Sequence, residues 1–277
     1  MIAAIPFFEL RVMHLDIFGY DLPIDPWGTL VIIAFVVGME VARARGIKQG
    51  LEVKDIVDGS LFIVLMGFVI GHFFTVIAYH PERLIDEPVM SLLRIWDGFS
   101  SMGGFIGAII GSILFFRVIR KRDYFKHADA IAYGFPFGFF FGRLACGVVH
   151  DHIGRLTDSP FGMRFPPGHF AEGVRFEMGL AEAAYVLCIA LLFWFLGRVP
   201  RKPGFFLGLL PVVYSPVRIW LDSMRNTDLQ FQDVRYWGFT PAQYGAVVLL
   251  FLGLSVLYVT QWKRTEDENM TEPTRTI

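Results

Sequence analysis

The sequence predicts an all-α polytopic membrane protein, seven transmembrane helices carrying a small extracytoplasmic head. Three observations lead there. The 277 residues are 54% hydrophobic and only 18% charged, whereas soluble chains carry about 25% charged residues. Seven apolar stretches approach the roughly 20 residues a helix needs to cross a bilayer. Lysine and arginine then collect in alternate loops between those stretches.

Taken in order, the residues up to Tyr20 have no basic start and no small-residue cleavage site, so they are not a cleavable signal. Too broken to span, they read as an interfacial arm. The spans follow at about 27–43, 59–79, 99–118, 127–149, 178–197, 203–222 and 241–262. Their apolar runs are continuous, which excludes the alternating pattern of a lipid-facing barrel. Arg43, Arg45, Lys48 and Lys54 follow the first span, and Arg117, Arg120, Lys121, Arg122 and Lys126 the third. Arg198, Arg201 and Lys202 follow the fifth, and Lys263 and Arg264 the seventh. Basic loops stay in the cytoplasm, so the N-terminus is expected outside and the C-terminus inside. Residues 1–264 read as one membrane-embedded domain, with a head at about 150–177 and a disordered cytoplasmic tail at 265–277. Phe161, Phe165, Phe170 and Phe176 argue that the head packs over the outer mouth of the bundle. A net charge of −1 argues against nucleic acid. Cys146 and Cys188 both lie in apolar runs and offer neither a disulfide framework nor zinc-ligand spacing.

Ionisable groups inside spans cost about 2.5–3.5 kcal/mol each on insertion scales and are candidates for function. Arg143, Arg218, His72 and Glu182 fall at one level near the outer ends of four spans. Arg218, Asp222 and Arg225 stand at i, i+4 and i+7, and Arg143 and His150 are seven apart, each set on one helix face if the helix continues. Arginine's fork of donors suits phosphate oxygens, and a phospholipid headgroup sits at this depth. The alternative is that Arg143 and Arg218 pair with Glu182 and Asp222 and only hold helices together. His150-Asp151-His152 could cap a helix, act as base and orienter, or bind metal. With no third ligand in sight, neither metal nor cofactor is expected. His72 reads as a hydrogen-bonded structural group, and Gly103, Gly104 and Gly107 as a patch for close helix packing or lipid approach.

Five segments in order give the chain a familiar outline: Pro26-Trp27-Gly28; Ile95-Trp96-Asp97-Gly98 with Gly103-Gly104-Phe105-Ile106-Gly107; Phe141-Gly142-Arg143 through Gly154; Ser159-Pro160-Phe161-Gly162-Met163-Arg164-Phe165-Pro166; and Arg218-x3-Asp222-x2-Arg225. The chain resembles the prolipoprotein diacylglyceryl transferases of the bacterial inner membrane. The resemblance implies transfer of the diacylglyceryl group of phosphatidylglycerol to the lipobox cysteine of prolipoprotein signal peptides, releasing glycerol phosphate. It implies catalytic roles for Arg143 and Arg218, and lipid or substrate contacts at Trp27, Met102, Gly103, Gly104, Cys146, Gly154, Asp222 and Arg225. The family usually has His at Met102, Tyr at Trp27, Asn at Cys146 and Glu at Asp151 and Asp222. Methionine cannot take a proton, so the base is sought at His150 or His152, His150 first because it shares the Arg143 face, with Asp151 as orienter. The alternatives are a non-catalytic phospholipid-binding relative, or a transferase with another lipid or acceptor.

Overall fold

The computed structural model describes residues 5–95, 98–230 and 232–263. The expected tail at 265–277 and the Trp96-Asp97 pair lie outside them. The chain opens with strand β1 (Ile5–Pro6) and a hairpin of β2 (Met13–Ile17) and β3 (Tyr20–Ile24). Phe18 and Gly19, at φ 54° and 82°, make its two-residue turn, the backbone sense that matches strand twist. The expected interfacial arm is therefore built of strands.

Helices α1 (Pro26–Lys48) and α2 (Val53–Phe74) follow, α2 running on through π-helical turns to Tyr79. The short α3 (Arg83–Asp86) and α4 (Pro88–Leu93) lead to α5 (Ser101–Ile113), prolonged by π-helical turns to Ile119, and to α6 (Tyr124–Val149). Strands β4 (Ile153–Leu156), β5 (Met163–Phe165) and β6 (Gly173–Glu177) come next, then α7 (Met178–Leu196), α8 (Phe205–Asp222) and α9 (Pro241–Leu257), the last extended to Lys263. Among the described residues, six helices are long and apolar enough to cross a membrane: those at Val53–Tyr79, Ser101–Ile119, Tyr124–Val149, Met178–Leu196, Phe205–Asp222 and Pro241–Lys263. The 23-residue α1 accompanies them.

The helices meet where glycine lets backbones touch. A Cβ on Gly138 of α6 would lie 2.3 Å from the Ala34 carbonyl oxygen of α1, and one on Gly107 of α5 would lie 2.4 Å from the Met66 carbonyl oxygen of α2. Gly103 is walled by Phe74 and Gly71, and Gly104 by Phe99. Met102 is buried against Ala242, Ala246 and Leu249 of α9. Of the two roles expected of the glycine patch, close packing is the one seen: it seats α5 against α2, with Met102 on α9. Beneath it, buried Asp55 accepts from Arg122 at 2.5 Å and lies 3.5 Å from Arg120, joining the start of α2 to the loop before α6.

The chain is mostly helical, but the all-α expectation needs correcting. A four-stranded sheet runs β1-β5-β6-β4, with β1 parallel to β5 and the other pairs antiparallel. Its apolar side is formed by Ile153, Met163, Phe165 and Ala171, with Phe7 and Phe8 packed on them. The expected packing aromatics divide: Phe165 is buried, whereas Phe161 and Phe170 are exposed. The sheet is stitched to the end of α8 by a bridge between Gly154 and Arg225, by Arg155 N–H donating to the Met224 carbonyl at 2.8 Å, and by the Asn226 amide on the Ile153 carbonyl at 2.8 Å. At Gly154 a Cβ would lie 2.9 Å from that Met224 oxygen, so only glycine allows this approach.

Candidate active site

The α6–α7 crossing decides which polar groups meet. A Cβ on Gly179 would lie 2.6 Å from the Gly147 nitrogen, so the two backbones are in contact at the ends of their helices. One turn further along each helix, this brings Arg143 of α6 to Glu182 of α7. Arg143 Nε lies 3.2 Å from Glu182 Oε1, and Arg218 Nη1 of α8 donates to Glu182 Oε2 at 2.9 Å. Tyr214 O–H, one turn before Arg218, donates to Oε1 at 2.5 Å. Arg218 also reaches Asp222 Oδ1 at 3.2 Å, and Thr240 O–H, the N-cap of α9, donates to Asp222.

All these groups are buried. An ion pair taken out of water survives only when its remaining donors and acceptors are met. Glu182 meets this condition, with partners from three side chains. The arginines do not: Arg143 Nη2 and Arg218 Nε are buried without a hydrogen-bond partner among the described residues. Arg143 also lies over the Phe139 ring at 4.6 Å, which fixes its plane. The layer therefore offers an oriented pair of guanidinium groups with donors to spare, an arrangement that can receive a phosphate-like anion.

Helix α6 stops at Val149, and here the sequence expectation is corrected. His150 takes the left-handed conformation at φ 52°, so it leaves the Arg143 face. Its Nε2 bonds the Phe8 carbonyl at 2.7 Å, and its ring is boxed by Phe7, Phe8 and Phe165. The reversal turns the next two residues back towards the helix. His152 Nδ1 donates to Asp151 Oδ1, and these two side chains together with the Cys146 thiol lie within 4.8 Å of one another. His152, rather than His150, is the imidazole turned towards the arginine layer. Burial, then the Arg225 charge, hold it below the usual imidazole value. Burial, the largest effect, would raise the Asp151 carboxyl, but the hydrogen bond and charge of His152 together with the Arg143 and Arg225 charges outweigh it and hold the group below the ordinary carboxylate range. Burial pushes Glu177, the N-cap of α7, up to about 8.

Arg225 also departs from expectation. Helix α8 ends at Asp222, so Arg225 lies beyond the helix, pairs with Asp233 and bridges its backbone to Gly154. Trp27 stands exposed in the first turn of α1. His72 bonds the Ser91 carbonyl at 2.8 Å and lies 3.2 Å from that of Gly98, as a structural histidine does. A cavity of about 300 Å³ opens beside the cluster, lined by His150, Asp151, Ile153, Phe170, Asn226 and Leu229 among others. Sequence reasoning overlooked Tyr214, Thr240 and Glu177. Tyr214 had a signal, standing four residues before Arg218 and so on its face.

Fold and site together define a polytopic membrane protein with an arginine pair on a shared buried carboxylate beside a His–Asp pair. The model of the prolipoprotein diacylglyceryl transferase family matches residues 15–259, and the chain belongs to that family. It is similar to the phosphatidylglycerol–prolipoprotein diacylglyceryl transferase of Shewanella sp. (strain ANA-3), 28% identical over 259 residues, 90% of this chain and 93% of the relative. The enzyme of that name from Chromohalobacter salexigens is 29% identical over 248 residues, 88% and 91% of the two chains. That from Actinobacillus pleuropneumoniae serotype 3 is 30% identical over 202 residues, 72% and 75%.

Proposed function

We propose that this chain transfers the diacylglyceryl group of phosphatidylglycerol to the cysteine thiol of prolipoprotein signal peptides. It does so as a seven-span protein of the bacterial inner membrane, with α1 as the first span, ahead of the six helices above. The observation that carries the reading is the pair Arg143 and Arg218. They come from two helices onto one buried carboxylate and keep free donors for an anion.

The reaction breaks the bond between a glyceryl carbon and a phosphate oxygen. Negative charge grows on the departing glycerol phosphate, and oriented guanidinium groups in a water-poor layer stabilise that charge as it develops. The acceptor sulfur attacks as a thiolate, so its proton must be removed. Met102 is buried in hydrocarbon and takes no part in that step. The Asp151–His152 pair replaces it as the proton-handling group, and His150 anchors the N-terminal segment to the sheet. Gly154 and Arg225 fix the sheet over the site, Asp222 steadies Arg218, and Cys146 lines the acceptor side. Trp27 meets lipid at the interface, while Gly103 and Gly104 let α5 close on α2.

In this topology the N-terminus and the sheet head lie outside and the C-terminus is cytoplasmic, because the basic loops follow the odd-numbered spans. The ion pairs joining Glu52, Asp55 and Asp58 to Arg120 and Arg122 support one side for those two loops.

The test is purified protein with phosphatidylglycerol vesicles and a lipobox cysteine peptide, reading thioether product and released glycerol phosphate. Both products are expected in equal amounts. Lipid binding without product would leave a non-catalytic phospholipid-binding relative, and product from another lipid alone would change the donor.

A further inference from the structure

We propose that the cavity at the end of α6 is a pocket for the acceptor peptide. It takes an uncharged, apolar residue next to the reacting cysteine, and backbone N–H groups of that stretch donate to Asn226 and His150. The choice of occupant rests on the transfer reading above. Four parts of the fold build the walls. Val149 closes α6, Ile153 belongs to β4, Phe170 to the loop between β5 and β6, and Asn226 and Leu229 to the connection between α8 and α9. The volume of about 300 Å³ lies at the bottom of the range of about 300–1,000 Å³ for ligand pockets. That is room for a side chain with its backbone, not for two acyl chains.

Two of the lining residues lack a hydrogen bond. Asn226 and His150 are only 6% and 8% exposed. Asn226 donates Nδ2 to the Ile153 carbonyl at 2.8 Å, which fixes the amide and leaves its buried Oδ1 without a partner among the described residues. His150 meets the Phe8 carbonyl through Nε2 at 2.7 Å. A carbonyl only accepts, so Nε2 carries a proton, and Nδ1 of the neutral ring is left as an acceptor. That Nδ1 is likewise buried and unmatched among the described residues. A buried polar atom left unmet is costly, and both missing partners are donors.

The missing partners select the ligand. A phosphate brings acceptors and negative charge, and here it meets two acceptors and the Asp151 carboxylate. A peptide brings an N–H donor at each residue other than proline, and its apolar side chain suits walls of Val149, Ile153, Phe170 and Leu229. Position agrees with this. Asp151 lines the cavity and also holds His152 by a hydrogen bond. Consecutive Cα atoms are about 3.8 Å apart, so a cysteine whose sulfur lies at His152 sets its neighbour at the cavity. The lipid phosphate keeps to Arg143 and Arg218. The two substrates are thus told apart by the sense of their hydrogen bonds, donors for the lipid and acceptors for the peptide. An acidic residue beside the cysteine is repelled by Asp151.

The first test uses the full-length parent protein in detergent with phosphatidylglycerol. A lipobox peptide carrying a diazirine leucine beside its cysteine is photolysed on the protein, and the adducts are mapped by mass spectrometry. Capture is expected at 149–153, 170 or 226–229. Adducts confined to other positions overturn the pocket. So does capture of these positions by phosphatidylglycerol with the diazirine on its glycerol headgroup, and not by the peptide. The second test is kinetic. Aspartate in place of that leucine in the peptide, or Leu229→Trp in the protein to fill the cavity, is expected to raise the peptide KM about tenfold. In both cases kcat and the KM for phosphatidylglycerol should stay within about twofold, as for a loss of binding alone. An unchanged peptide KM in both overturns the pocket, and the crosslinks stand whether or not the variant folds. Peptide captured at the cavity without any transfer would keep the pocket and sink the transferase reading; transfer with the peptide captured elsewhere sinks the pocket alone.

Discussion

Arginine at positions 143 and 218 does more than carry charge, because each guanidinium pairs with Glu182 and still holds a buried N–H, Nη2 of Arg143 and Nε of Arg218, without a partner among the described residues. Lysine would keep the charge but lose the fork of donors. Arg143→Lys and Arg218→Lys are each expected to lower kcat by about a hundredfold or more, with normal insertion. Unchanged turnover in both would reduce the pair to a helix clamp. The two histidines separate along the same logic. His152→Ala is expected to abolish transfer. His150→Ala gives up a hydrogen bond to Phe8 and its aromatic box, so it should lower stability by about 1 kcal/mol and leave kcat within a few-fold. The reverse order in the transfer assay would return the proton-handling role to His150. Glu177 adds a pH dependence. Its pKa in the folded chain, about 8, lies above the ordinary carboxylate value, so stability is fullest below pH 4.5 and is lost as pH rises through 8. Glu177→Gln should remove that loss, raising the melting temperature at pH 8.5 while changing little at pH 5; a parent whose melting temperature is flat over this range would show Glu177 ionised throughout.

At the scale of elements, the helices were legible because an apolar run of bilayer length has few other uses. The run at 127–149 becomes Tyr124–Val149 because Asp123 caps the helix three residues earlier, its side chain accepting from Lys126 N–H. The run at 27–43 becomes Pro26–Lys48 because Arg45 is buried over the Tyr133 and Phe206 rings, which lets the helix outlast its apolar part. The sheet was not legible. Its strands hold two to five residues, and β1 finds β5 across more than 150 positions, so no local period announces them. The arginine layer was legible through its cost in hydrocarbon, but its geometry was not, since a helical period continued past Val149 puts His150 where His152 belongs. The Cys146–Asp151–His152 grouping depends on that same turn, and no helical spacing encodes it. Two glycines of α6 test the packing account. Gly138 is pressed on the α1 backbone, whereas a Cβ on Gly142 would meet its nearest neighbours at 4.0 Å. Gly138→Ala should destabilise the protein in detergent by about 1–3 kcal/mol, and Gly142→Ala should not. Equal melting temperatures for the two would mean that the α1–α6 seam yields.

For the whole molecule the question is which way it sits in the membrane, since an enzyme that joins a lipid headgroup layer to an acceptor peptide works only if its arginines open on the side where both arrive. Helix α6 makes one pass between Lys121 and Pro167, and its 26 residues rise about 39 Å at 1.5 Å each, more than the roughly 30 Å hydrocarbon core. The basic loop before it is tied to the start of α2 by Arg120 and Arg122, so Gly50 and Lys121 belong to one face. If α1 spans, the N-terminus lies on the opposite face, with Pro167 and the sheet, and this agrees with β1 being a strand of that sheet. Reporter fusions should therefore place Gly50 and Lys121 in the cytoplasm, and an N-terminal tag and Pro167 outside. Lys121 and Pro167 on the same side would remove α6 as a span and with it the depth assigned to Arg143. An N-terminal tag on the side of Gly50 would remove α1, leave six spans, and contradict the parallel pairing of β1 with β5.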